Sequence, residues 1–240
     1  MRLPLLSPLR LGPALLVLAL PLAAAVAAPP TAGDMAQRVL ACTGCHGAEG
    51  RAGADGYYPR IAGKPAGYLY NQLLNFRDGR RQYPLMTGLL HTLTDDYLHE
   101  IADHFSRLDP PYPPPTRSTL RAAVLSHGEQ LVRRGDAARE LPACDRCHGS
   151  ALTGVAPAIP GLLGLPRDYL AAQLAGWKSG IRQAHAPDCM AQIARRLTAD
   201  DIQAVAQWLA AQAADGGGKP AAALDRPLPV RCGGVPEAAR

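Results

Sequence analysis

Cys42, Cys45 and His46 in "CTGCHG", and Cys144, Cys147 and His148 in "CDRCHG", are the residues of this sequence best suited to chemistry, and they write one element twice, 102 positions apart. A CxxC pair alone fits a redox dithiol, half a zinc site or a structural disulfide. A histidine in the next position points instead to covalent attachment of haem. The two cysteines add across the haem vinyl groups as thioethers, and the histidine supplies one axial nitrogen to the iron. A four-cysteine zinc site has no use for histidine at both fifth positions. Two covalently bound haem c groups, each with its iron, are therefore expected.

The sixth iron ligand is sought among the methionines. Met86 follows His46 by 40 residues and Met190 follows His148 by 42, while Met35 lies upstream of the first attachment element. Methionine at helical spacing usually fills a core, but thioether sulfur opposite histidine also closes a haem iron and raises its potential. The matched positions favour ligation by Met86 and Met190. His91, His99, His104, His127 and His185 have no histidine counterpart in the other half and read as surface or helix residues.

The elements that hold these residues also come in duplicate. "PRIAGKPAGYLYNQLLNFRDGRR" (59–81) superposes on "PGLLGLPRDYLAAQLAGWKSGIR" (160–182) at an offset of 101, and the stretches from Met86 and Met190 superpose at 104. The difference is a short insertion, "QAHAPDC", ahead of Met190. An internal repeat of this kind decides the architecture. Helical periodicity over 68–77 and 169–178, with Gly79 and Gly180 as stops, and Thr94 and Thr198 as N-caps of two further helices, predict an all-α chain of three or four short helices per half. No segment alternates with period two. The boundaries expected are a signal peptide at 1–27, a first domain at 28–109, a Pro-rich linker at 110–116, a second domain at 117–215 and an irregular C-terminal tail at 216–240, unpacked in character.

The first 27 residues, with Arg2 and Arg10 ahead of an apolar run and Ala25-Val26-Ala27 at its end, read as a cleaved export signal rather than an uncleaved anchor. Export would deliver the chain to an oxidising compartment. The formal charge of +5 falls to +3 once Arg2 and Arg10 are removed, since that segment holds no acid, and no basic run is interleaved with aromatics; nucleic acid is not an expected partner. Four haem propionates would bring the sum to about one negative charge, so a partner should meet an apolar haem edge with a mixed-charge rim.

These residues resemble the dihaem class I cytochromes c, and specifically the cytochrome c4 family. "CTGCHG", "CDRCHG", the Pro-x-[Ile/Leu]-x-Gly stretches at 59–63 and 160–164, Met86, Met190 and the closing "LTDD" and "LTADD" helices carry the resemblance over essentially all of the chain beyond the signal. It implies two tandem cytochrome c domains and electron transfer in the periplasm, from a cytochrome bc complex or a dehydrogenase to a terminal oxidase, with peripheral membrane association compatible. It also implies that Pro59 and Pro160 offer their carbonyls to the Nδ1 hydrogens of His46 and His148. Arg81 and Arg182, alike in both halves, are candidates for propionate contacts, with solvated helix-end charges as the alternative.

Cys189 and Cys232 fall outside the repeated pattern. Three readings are open: a disulfide pinning the tail beside the Met190 loop, free or metal-binding thiols, or Cys189 replacing Met190 as ligand. For the whole chain the leading reading is a closed two-haem electron carrier. A dihaem enzyme of peroxidase or thiosulfate-oxidising type, in which one iron opens to substrate, and an electron-transfer subunit of a dehydrogenase are the alternatives.

Overall fold

The computed structural model describes residues 35–53, 56–116, 121–214 and 218–237; the expected signal peptide at 1–27 lies outside them. Its first half contains α1 (Met35–Arg38), α2 (Leu40–His46), α3 (Ala66–Arg77), α4 (Pro84–Leu90) and α5 (Asp95–Arg107). The second contains α6 (Ala122–Arg133), α7 (Asp145–His148), α8 (Arg167–Ser179), α9 (Cys189–Arg196) and α10 (Ala199–Ala210), with a two-stranded antiparallel ribbon, β1 (Gly154–Val155) and β2 (Ile159–Pro160), between α7 and α8. The all-α class holds. Each half has more helices than expected because α1, α2 and α7 are too short to show a period. The ribbon escaped the sequence for the same reason, having two residues per strand.

Capping explains where α5 and α10 start. Thr94 accepts the N–H of Tyr97 at the head of α5, and Thr198 forms a reciprocal capping box with Asp201 at the head of α10. Leu98, Ile101, Ala102 and Phe105 line one face of α5 and pack with Leu69 and Phe76 of α3 into the first core. In the second half Leu131 and Val132 of α6 meet Ile202, Val205, Ala206 and Leu209 of α10. Those two helices meet backbone to backbone at Gly128, where a Cβ would stand 2.2 Å from the carbonyl oxygen of Ala204.

The Pro-rich stretch 109–116 forms no regular element, yet it is anchored. Buried Arg60 donates to the carbonyls of Pro110 (2.6 Å) and Pro111 (3.0 Å) and stacks over Tyr112, and Thr116 N–H reaches Ala210 O. The tail is irregular as expected but is packed, which corrects the sequence reading. Cys232 and Val235 are buried with Val155 and Ile159, Ala221 pairs with the backbone of Gly154 and Ala156, and a disulfide joins Cys232 to Cys189. A covalent bond and a few backbone pairings do here what a periodic apolar face does in a helix, and neither leaves a periodic trace.

Candidate haem-binding site

Each CxxCH element sits at the end of a helix, with its histidine as the last helical residue: His46 closes α2 and His148 closes α7. The glycine that follows has positive φ, 76° at Gly47 and 83° at Gly149. At Gly47 a Cβ would stand 2.3 Å from Ala52 O, so the turn that aims His46 inward requires glycine. Both imidazoles are buried and similarly held: His46 Nδ1 donates to Pro59 O at 2.8 Å and His148 Nδ1 to Pro160 O at 2.7 Å. With Nδ1 carrying the proton, Nε2 keeps its lone pair for a metal. Burial lowers both imidazole pKa values, so the neutral, ligating form is favoured.

Both histidines, all four CxxCH cysteines, Met86 and Met190 line one continuous cavity of about 950 Å³. Met86 stands in the first turn of α4, behind Pro84 at the helix start. Met190 is the second residue of α9, whose N-cap Asp188 accepts the N–H groups of Ala191 (3.0 Å) and Ala184 (2.8 Å). The insertion before Met190 thus supplies the cap that fixes it. Cys189 is tied to Cys232 and carries no thiolate in this structure.

The lining fits haem. It is mostly apolar, but four buried cations, Arg60, Lys64, Arg81 and Arg182, line it with no carboxylate hydrogen-bond partner among the described residues. The indole Nε1–H of Trp177, also on the wall, is buried without an acceptor. Buried cations and an orphan donor demand anions, and haem brings carboxylates at one edge of an otherwise apolar ring. Burial pushes the Cys144 thiol up to about 12 and Cys147 up to about 11.

Arg81 and Arg182 are not solvated helix-end charges. Arg81 donates to Gln72 (3.0 Å) in its own half and to Gln173 (2.6 Å) and Tyr169 (3.0 Å) in the other. Arg182 donates to Gln173 (2.7 Å) and Gln72 (2.9 Å). Burial, with Arg81 alongside, pulls Arg182 down to about 10. Of the other histidines, His185 lines the cavity beside Arg80, His127 pairs with Asp201, and His91 and His99 make local contacts on their own helices.

No family model matches the chain. Individual proteins do. It is 34% identical to a cytochrome c4 from Pseudomonas aeruginosa over 74% of this chain and 88% of that one. The chain belongs to the cytochrome c4 family. It is accordingly a dihaem electron carrier rather than a catalytic enzyme, with two covalently bound haem c groups, and it works with a redox partner. Other members and relatives extend the likeness. A protein named thiosulfate dehydrogenase electron acceptor from Thiomonas intermedia is 40% identical over 78% of this chain and 82% of its own length. The crystal structure of reduced cytochrome c4 from Pseudomonas stutzeri superposes with a TM-score of 0.65 at 29% identity, covering 76% of this chain and 99% of that one. A thiosulfate dehydrogenase from Marichromatium purpuratum gives a TM-score of 0.65 at 35% identity over 74% of this chain, which spans only 38% of the enzyme chain. Among the described residues no helix is long and apolar enough to cross a membrane.

The sequence missed Lys64, Arg60, Trp177 and the glutamine pair. Gln72 and Gln173 occupy matching repeat positions and could have been found as repeated polar residues on a helix. Lys64 could have been found only as a mismatch, since its repeat partner is Leu165.

Proposed function

We propose that this cytochrome c4 is exported to the periplasm by residues 1–27, accepts electrons from a thiosulfate-oxidising dehydrogenase, and passes them toward a terminal oxidase, with His46/Met86 and His148/Met190 as the axial pairs and Cys42, Cys45, Cys144 and Cys147 as the attachment points. In the same reading the cytochrome c domains run 28–109 and 117–215, joined by 110–116 and followed by the tail 216–240. The donor assignment rests on one observation: two relatives named thiosulfate dehydrogenase electron acceptor are 40% and 36% identical to this chain, against 34% and below for those named cytochrome c4.

A c-type haem supplies one-electron exchange at its iron. The chain holds His46 and His148 in a single tautomer through Pro59 and Pro160, places Met86 and Met190 in first helical turns, behind Pro84 and the Asp188 cap respectively, keeps both sites in an apolar enclosure, and sets Arg81, Arg182 and Trp177 to receive propionates. With a histidine and a methionine holding each iron, the coordination would be closed, which would suit outer-sphere transfer and leave no position for a substrate.

Stopped-flow mixing of the oxidised holoprotein with a thiosulfate dehydrogenase plus thiosulfate should reduce both haems faster than mixing with a cytochrome bc complex plus quinol. Faster reduction by the quinol system would reassign the donor.

A further inference from the structure

Lys64 occupies an unusual place. It belongs to the first half but is 3% exposed and reaches into the second, where its Nζ donates to the carbonyl of Gly161 at 2.9 Å. That carbonyl follows Pro160, whose own oxygen holds His148 Nδ1. A primary amine from one half thus ends one peptide away from the group that orients the other half's iron-ligating histidine. An ammonium has three donors. One is used on Gly161, no acidic side chain faces it among the described residues, and the amine borders the shared cavity.

The arrangement is one-sided. Leu165, at the matching place in the repeat, packs against the second half's own core and returns no charge to the first. Arg81 and Arg182, by contrast, are disposed symmetrically, each bonded to both Gln72 and Gln173. Arg60 keeps its charge on the cavity wall but turns its donors to the Ala62, Pro110 and Pro111 carbonyls rather than to the second half. Lys64 is therefore a buried charge without counterpart in the repeat whose field reaches His148 of the other half.

We infer that Lys64 is a cross-half positioning residue whose charge raises the reduction potential of the haem attached at Cys144 and Cys147 relative to the haem attached at Cys42 and Cys45. Reduction lowers the positive charge on iron by one, so a cation buried nearby favours the reduced state, and a low-dielectric surrounding magnifies the effect. The consequence is directional: an electron arriving at either haem settles on the second. Burial, with the Arg60 guanidinium adding to it, would pull the amine down to about 7; anionic propionates bound in the same cavity would work against that loss and keep it charged.

The test is a spectroelectrochemical titration of the full dihaem protein, each wave assigned to its haem by the paramagnetically shifted haem methyl resonances. Lys64→Gln keeps a donor for Gly161 and removes the charge; Lys64→Arg keeps the charge; Lys64→Met removes both. The Gln and Met variants should shift the electron-sharing equilibrium about tenfold toward the first haem, which is about 59 mV for one electron, while the Arg variant stays at the wild-type value. Unchanged potentials in Lys64→Gln, or a fall confined to the first haem, would overturn the inference. So would a fall in Met that Gln restores, since that would make the hydrogen bond alone responsible. Should Lys64→Met fail to load haem, the Gln and Arg variants decide. The reading stands apart from the axial methionines and the donor, because the potentials are compared within one protein whatever its ligands.

Discussion

Arg81 and Arg182 face one another as an antiparallel backbone bridge across the join between the halves, and each guanidinium crosses to the other half's glutamine, Arg81 to Gln173 at 2.6 Å and Arg182 to Gln72 at 2.9 Å. Two like charges are thus buried side by side, shared by two neutral amides. Such a pair is tolerable only with acceptors saturated and anions within reach.

Gln173, like Gln72, accepts from both arginines on its Oε1, and makes the shorter pair of bonds. Gln173→Ala should destabilise the holoprotein by about 2–4 kcal/mol, the loss of two hydrogen bonds to charged donors, and should separate the unfolding of the two halves. Denaturant titration read at the haem bands and by far-ultraviolet dichroism would show it; a cost under about 0.5 kcal/mol would mean that the cations rely on other partners.

The disulfide closes a loop of 43 residues onto the residue before Met190. Replacing Cys189 and Cys232 with serine should cost about 2–4 kcal/mol by release of chain entropy and loosen the start of α9. Expected readouts are faster proteolysis within the tail and carbon monoxide binding by one of the two reduced haems at neutral pH. Absence of both would assign Met190's placement to the Asp188 cap alone.

If Met86 and Met190 are the axial ligands, Met86→Leu and Met190→Leu should each remove half of the far-red band that reports methionine sulfur on ferric haem, and the double variant all of it. A single variant that leaves the band whole would return that methionine to a packing role.

At Gly128 two effects oppose. Alanine is the better helix former by about 1 kcal/mol, but its Cβ would lie 2.2 Å from Ala204 O and 2.9 Å from the Trp208 Cβ. Moving two packed helices apart costs more than propensity returns, so Gly128→Ala should lower stability by about 1–3 kcal/mol net. A rise in thermal midpoint would show that α6 and α10 separate without loss.

Asp201 gives a pH signature. Burial raises its pKa, but hydrogen bonds from Arg139 (2.6 Å), the Thr198 N–H (2.8 Å) and His127 (2.7 Å) outweigh this and hold it well below the usual carboxylate range. A depressed folded pKa contributes stability that is full above about pH 4, the unfolded value, and is lost as pH falls through the folded one. The stability gap between wild type and Asp201→Asn should therefore be constant from pH 7 to about 5 and narrow below pH 4. A gap that widens on acidification would reverse the sign.

Cys42, Cys45, His46 and their duplicates were legible as haem attachment because the chemistry demands those residues in that order within one helical turn, whatever surrounds them. The all-α class and the starts of α5 and α10 were legible too, since caps and amphipathic faces act over a few neighbouring residues. The seam was not. Arg81 and Arg182 could be matched as equivalents, yet whether they met solvent or each other depended on how two similar halves pack, and a repeat is silent on its own docking. The tail's packing, the anchoring of 109–116 by Arg60 and the crossing of Lys64 to Gly161 likewise join residues about 50 to 100 positions apart with no periodic trace. Covalent and local rules are written in sequence; the placement of buried charge is decided only when distant backbone carbonyls arrive to receive it.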